Sequence, residues 1–177
     1  MVKTQFNWKI VILGDGSVGK TSLVTWYTKR TFDNFYQPTL GAQFSVKELD
    51  LTSDTRVKLF LWDIAGQVKF SAIRKMFYER AHAALFVYDV TQPTTFESID
   101  TWKDDLVDSL GEDFPAALIA NKIDLDSRRA ISTEEGFEKA TSLEMPYYET
   151  SAKTGEGVDD AFLNLCLLLH DKQIQSD

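Results

Sequence analysis

Cysteine is nearly absent from this chain. Cys166 is the only one in 177 residues, so neither an intramolecular disulfide nor a cysteine-built zinc cluster can form. Histidine is almost as scarce. His82 and His170 are the only two and lie far apart in sequence, which argues against a histidine-rich metal site. The four prolines are scattered, and no Pro/Ser-rich linker, low-complexity tract or repeat marks a boundary. No apolar run approaches the ~20 residues of a membrane span, and residues 1–9 lack the apolar stretch of a signal peptide. Basic residues are the minority, 19 against 27 acidic, giving a formal net charge of −8. That balance argues against a nucleic-acid binder, which needs a basic face. It argues equally against electrostatic docking on anionic lipid. The expectation is one cytoplasmic, monomeric domain over residues 1–177.

What the chain does have is an alternation of strand and helix signals. Ile10–Leu13, Ala83–Tyr88 and Ala116–Ala120 are continuous apolar runs suited to strands buried on both faces. Phe44–Leu51 and Arg56–Asp63 read as two strands around a hairpin-like turn at Thr52–Thr55, and Tyr147–Thr150 as a short strand. Helical spacing marks Lys20 to about Lys29 and the series Phe96, Ile99, Trp102, Leu106, Leu110, with Pro93 near its start. It also marks Thr133 to about Ser142, with Ser132 or Thr133 as N-cap, and the stripe from Val158 to Leu169. Strands alternating with helices give an α/β fold with a mostly parallel sheet covered on both faces. Ligands of such folds sit beyond the carboxyl ends of the strands.

The residues that carry chemistry lie at those ends. Gly14-Asp15-Gly16-Ser17-Val18-Gly19-Lys20-Thr21 fits G-x-x-x-x-G-K-[ST], after a strand and opening a helix. Its glycines let backbone N–H groups wrap phosphates, and the helix start at Lys20-Thr21-Ser22 adds partial positive charge. Lys20 reaches the β- and γ-phosphates, and the Thr21 hydroxyl can ligate Mg²⁺. The loop alone says only nucleotide. Asn121-Lys122-Ile123-Asp124, about 100 residues on, says guanine. A carboxylate at Asp124 accepts from the ring N–H and exocyclic amine of guanine, whereas adenine would leave it unpaired. Asn121 and Lys122 can tie the loop together, and the lysine stem can cover the base. N-K-x-D standing alone is weak, since Asn and Asp are common turn residues. Thr150-Ser151-Ala152-Lys153 could offer a backbone N–H to the guanine carbonyl, although in isolation it reads as a Ser/Thr-rich turn. Trp62-Asp63-Ile64-Ala65-Gly66-Gln67 ends the strand from Arg56. There Asp63 can hold Mg²⁺, Gly66 leaves the γ-phosphate room to approach a backbone N–H, and Gln67 can orient a water.

With these pieces in this order and spacing, the chain resembles a Ras-superfamily small GTPase over nearly its whole length. Thr39-Leu40-Gly41-Ala42-Gln43-Phe44, Trp62 before Asp63, Tyr88-Asp89-Val90-Thr91 and Ser151-Ala152-Lys153-Thr154-Gly155 look most like the Rab branch. The resemblance implies a P-loop NTPase fold with a six-stranded, mostly parallel sheet and about five helices. It implies binding of GTP and GDP with Mg²⁺ and slow hydrolysis, on the order of 10⁻³ per second or below without an activator. Phe32 matches the aromatic beside guanine, Tyr36 the lid on the phosphates, and Thr39 the threonine that binds Mg²⁺ and senses the γ-phosphate. Gln67, Lys20, Thr39 and Gly66 then carry catalysis, and Thr21, Thr39 and Asp63 the metal. The segments around 32–44 and 65–78 become switches that meet exchange factors, activating proteins and effectors, in vesicle trafficking or signalling. Gly16 matches a position where a side chain impairs hydrolysis.

Three residues depart from the family pattern. Ile64 stands where threonine is usual, and Val68 and Lys69 stand where Rabs often have Glu-Arg. These motivate an alternative: a nucleotide-held interaction module with little turnover. Residues 172–177 carry no lipidation cysteine, so membrane attachment is expected only through a lipidated tail outside this sequence. Cys166 is expected to pack as a small apolar residue.

Overall fold

A computed structural model describes residues 3–67 and 71–176. In chain order these form β1 (Thr4–Leu13), α1 (Lys20–Lys29), β2 (Ala42–Asp50), β3 (Thr55–Ile64) and α2 (Ser71–Tyr78). There follow β4 (Ala83–Asp89), α3 (Pro93–Leu110), β5 (Ala116–Asn121), a 3₁₀ segment (Ile123–Arg128), α4 (Thr133–Ser142), β6 (Tyr147–Thr150) and α5 (Val158–Ser176). The six strands make one sheet in the order β2-β3-β1-β4-β5-β6. All neighbours are parallel except β2 and β3, which pair as the expected antiparallel hairpin. Among the described residues five α-helices flank it.

The burial pattern explains why each strand sits where it does. β4 and β5 are buried at every position, as continuous apolar runs demand. β3 alternates: Val57, Leu59 and Leu61 are fully buried, while Lys58, Phe60 and Trp62 face outward only partly covered. β2 is largely exposed and carries Lys47, Glu48 and Asp50, the charged dress of an edge strand. Two apolar clusters fill the two sides of the sheet. One gathers Ile10, Ile12, Leu23 and Tyr27 with Phe162 and Leu165 of α5. The other gathers Val11, Leu13, Phe86 and Tyr88 with Ile99, Trp102 and Leu106 of α3. Cys166 is fully buried in the first, where burial pushes its thiol up to about 12 and leaves it inert.

Three elements exceed the sequence expectation. β1 starts at Thr4 rather than Ile10, because Thr4–Lys9 pairs with Thr55–Phe60 of β3. The 3₁₀ segment after β5 and helix α2 had no separate expectation. The N-cap of α4 resolves to Ser132: its hydroxyl accepts from the Glu135 N–H while Glu135 accepts from the Ser132 N–H. The doubt about Val68 and Lys69 lies outside the described residues.

Candidate nucleotide site

The carboxyl ends of β1, β3, β5 and β6 converge on a cavity of about 700 Å³, within the range of small-molecule sites. The structure brings Gly16, Ser17, Gly19, Lys20, Thr21 and Ser22 to its wall, with Phe32, Tyr36, Thr39, Gly66 and Gln67. Asn121, Lys122, Asp124, Ala152 and Lys153 close its other end. Four candidates stand behind this surface. Val18 is buried in the core. The Asp15 carboxylate turns away to accept from Trp102 Nε1 at 2.8 Å. Ser151 is buried and supports Asp124. Asp63 lines a smaller adjoining cavity of about 210 Å³, together with Thr21.

At one end the loop 14–21 is held in a turn that depends on glycine. Gly19 has φ +99°, and a Cβ there would collide with the Asn121 amide. Lys20 is buried, and its Nζ donates to the carbonyls of Gly14 and Asp15 at 2.8 and 2.7 Å. Burial pushes its ammonium down to about 8, against the pull of Asp63 and Asp15. A polyanion in the loop relieves that cost. Gly66 sits so close to the Asp15–Gly16 peptide that a Cβ would strike its atoms. A Cβ on Gly16 would instead meet the Tyr36 hydroxyl at 3.8 Å and Gln67 Cγ at 4.0 Å. Gln67 and Tyr36 thus flank the loop at Gly16. Among the described residues, the 32–44 and 65–78 segments are joined by a backbone bond from Ala65 N–H to Gly41 O at 2.8 Å.

Beside Lys20, three oxygens meet. Thr21 Oγ1 lies 3.0 Å from Thr39 Oγ1, Thr21 donates to Asp63 Oδ2, and Thr39 Oγ1 donates to the same oxygen at 3.3 Å. Asp63 Oδ1 is buried with no partner among the described residues. Burial pushes the Asp63 carboxyl up, while Lys20, Thr21 and Thr39 hold it back. One orphaned carboxylate oxygen with two hydroxyls matches a hard cation that takes few protein ligands, as Mg²⁺ does. Among the described residues no group of three His, Cys, Asp or Glu forms a richer metal cage.

At the other end, Asn121, which closes β5, is tied to the phosphate loop and to the end of β6. Its Nδ2 donates to Val18 O at 2.9 Å, and its Oδ1 accepts from Thr150 Oγ1 at 3.0 Å and Ala152 N–H at 3.2 Å. Lys122 is a non-glycine residue at φ 71°, and its Nζ donates to Ser17 O at 2.6 Å. Asp124 is exposed to the cavity, with one oxygen taken by Ser151 Oγ at 2.7 Å. Ile64 is fully buried in the α3-side core with Val11 and Tyr78, so its departure from threonine is a matter of packing.

Sequence reading missed several contributors. Asp33, Asn34, Phe35, Gln37 and Gln43 also line the cavity, as does Leu125, which directly follows the N-K-I-D run. Asp89 pairs with Lys122 at 2.6 Å although its motif, Tyr-Asp-Val-Thr, had only branch meaning in the sequence. Arg74, on α2, donates to the Gln67 carbonyl, and no sequence signal marked it.

Comparison with known proteins agrees with this geometry. The sequence profile of the Ras family matches residues 9–171. The chain is 43% identical to Ras-related protein Rab7 of Drosophila melanogaster over 159 residues, 87% of this chain and 76% of that protein. It is 38% identical to Ras-related protein Rab-21 of Mus musculus over 161 residues, 91% of this chain and 72% of that protein. It is 40% identical to Ras-related protein Rab-7a of Dictyostelium discoideum over 159 residues, 87% and 78% of the two chains. A profile match along nearly the whole chain, and such identities across a sheet of this order, make the protein a member of the Ras family and a Rab-like GTPase.

Proposed function

We propose that the protein binds GTP and GDP and hydrolyses GTP to GDP and phosphate, serving as a molecular switch in membrane traffic. One observation carries the reading. A single cavity runs from the buried Lys20, with Thr21 and Thr39 beside it, to Asp124 backed by Ser151. Its two ends suit a triphosphate and a guanine.

In this reading Asp124 receives the ring N–H and amine of guanine, Ala152 stands near its carbonyl, and Phe32 and the Lys122 stem cover its faces. The N–H groups of Gly16 to Ser22 and the Lys20 ammonium hold the phosphates. Gln67 orients a water in line with the γ-phosphorus. The water oxygen bonds to phosphorus as the bond to the β–γ bridging oxygen breaks; the electron pair leaves with GDP, and the water gives up a proton to a phosphate oxygen. Lys20 and the loop N–H groups neutralise the charge that develops on that oxygen. Mg²⁺ held by Thr21, Thr39 and Asp63 supplies further neutralisation when bound. Loss of the γ-phosphate removes what Thr39 and Gly66 would touch and frees the segments around 32–44 and 65–78. That change is what exchange factors, activating proteins and effectors would read. Among the described residues no helix is long and apolar enough to cross a membrane.

The test is Gln67→Leu. Fluorescent GTP analogue affinity should stay within about threefold of wild type, while single-turnover phosphate release falls more than about tenfold. Phosphate release by the variant at the wild-type rate would overturn the assignment. Wild-type protein that releases no phosphate, with or without a cell extract, would favour the interaction-module reading instead.

A further inference from the structure

Arg74 is a cation in direct contact with Gln67 that has no part in the scheme above. Its Nη2 donates to the Gln67 backbone carbonyl at 3.0 Å. Its guanidinium carbon lies 4.0 Å over the ring of Trp102, a residue 4% exposed on α3. Trp102 Nε1 in turn donates to Asp15 Oδ1 at 2.8 Å, one residue before Gly16. A continuous chain of contacts therefore runs from the main chain of Gln67, through α2 and α3, back to the phosphate loop. One turn further along α2, Tyr78 donates to Asp105 Oδ2 at 2.8 Å. Arg74 and Tyr78 are four apart and Trp102 and Asp105 three apart, so each pair shares a helix face. Helix α2 is thus clamped to α3 at two points, and only the first touches Gln67.

The arginine is held at a cost. Its Nε is buried and has no partner among the described residues, and an unsatisfied buried donor is unfavourable. An apolar side chain would cover Trp102 without that penalty, but it could not hold the Gln67 carbonyl. Nor is Arg74 placed to touch phosphate, since it does not line the cavity.

We propose that Arg74 is the positioning residue for Gln67: stacked on Trp102, it pins the Gln67 main chain so that the glutamine side chain stays against Gly16. The proposal rests on the reading of Gln67 as the residue that orients water. It makes the geometry of the glutamine depend on the Trp102–Asp15 contact, so that α3 and the phosphate loop set the residue together.

Arg74→Met keeps a side chain over Trp102 and removes every donor. Single-turnover GTP hydrolysis should fall about tenfold, the loss of one charge-assisted hydrogen bond. Release of fluorescent GDP should stay within about twofold, because no nucleotide contact is lost. In a Gln67→Leu background the same substitution should slow hydrolysis no further, since its effect passes through the missing side chain. Amide exchange at residues 65–67 should quicken in Arg74→Met. Hydrolysis at the wild-type rate in Arg74→Met, or an equal loss in both backgrounds, overturns the proposal. Unchanged amide exchange does so as well. If Gln67→Leu itself hydrolyses normally, the water-orienting role of Gln67 falls, and the exchange measurement still decides whether Arg74 pins its main chain.

Discussion

Asp89 illustrates how a residue outside every contacting position controls the site. Its side chain is 5% exposed, and its Oδ2 accepts from Lys122 Nζ at 2.6 Å while Oδ1 accepts from the Thr91 N–H and hydroxyl. Lys122 needs that anchor because the same Nζ also donates to Ser17 O in the phosphate loop. Asp89→Asn keeps the shape and removes the charge. Release of fluorescent GDP should then quicken roughly tenfold, the size of one charge-assisted hydrogen bond, with the hydrolysis rate of bound GTP little altered. Unchanged release would mean that the Ser17 contact alone holds Lys122. Lys20, Asn121 and Asp124 were legible in the sequence because each belongs to a short contiguous motif, the run 14–21 or Asn121-Lys122-Ile123-Asp124. Asp89, Thr150 and Arg74 were not. Thr150 meets Asn121 only because β5 and β6 pair in parallel, at Asn121 against Thr150. Arg74 meets Trp102 only because α2 lies on α3.

Among elements, the continuous apolar strands and the long amphipathic helices were readable from periodicity alone. Tyr147–Thr150 matches to the residue, and the helix expected from Lys20 to about Lys29 runs over Lys20–Lys29. The first half of β1 was missed although Phe6 and Trp8 alternate with Gln5, Asn7 and Lys9, because a polar-rich stretch needs β3 beside it to become a strand. The 3₁₀ segment shows a similar dependence on tertiary partners. Glu149, on β6, accepts from Arg129 Nη1 at 2.8 Å, Thr133 Oγ1 at 2.9 Å and the Tyr147 hydroxyl at 3.0 Å. It therefore ties the strand to α4 and to the end of the 3₁₀ segment. Burial pushes its carboxyl up, but these three donors outweigh burial and hold it below the usual glutamate value. A group depressed in the folded state contributes stability above its unfolded value and loses it as pH falls through the folded value. The excess stability of wild type over Glu149→Gln should accordingly be full at pH 7 and shrink below about pH 4.5, read as urea midpoints at several pH values. A gap independent of pH would leave the carboxylate with no role in holding β6.

At the scale of the whole molecule, the metal ligands we assign come from three distant pieces of chain: Thr21 opens α1, Thr39 lies between α1 and β2, and Asp63 ends β3. Their oxygens already lie together, and Asp63 Oδ1 stays buried without a partner. A cation held there would satisfy that oxygen and tie the 32–44 segment to the phosphate loop and the sheet. It would also neutralise charge on bound phosphates. Anything that binds only the folded state raises stability by mass action, about 2.7 kcal/mol at a hundredfold excess over Kd. For a chain of this size that corresponds to about 5–10 °C in Tm. Excess EDTA should therefore lower the Tm of GDP-loaded protein by several degrees and speed GDP release, and added Mg²⁺ should restore both. In Asp63→Ala the orphaned oxygen is gone, so EDTA should lose most of its effect on Tm. An equal EDTA effect in Asp63→Ala and wild type would place the cation elsewhere, and no effect in wild type would remove it from the site.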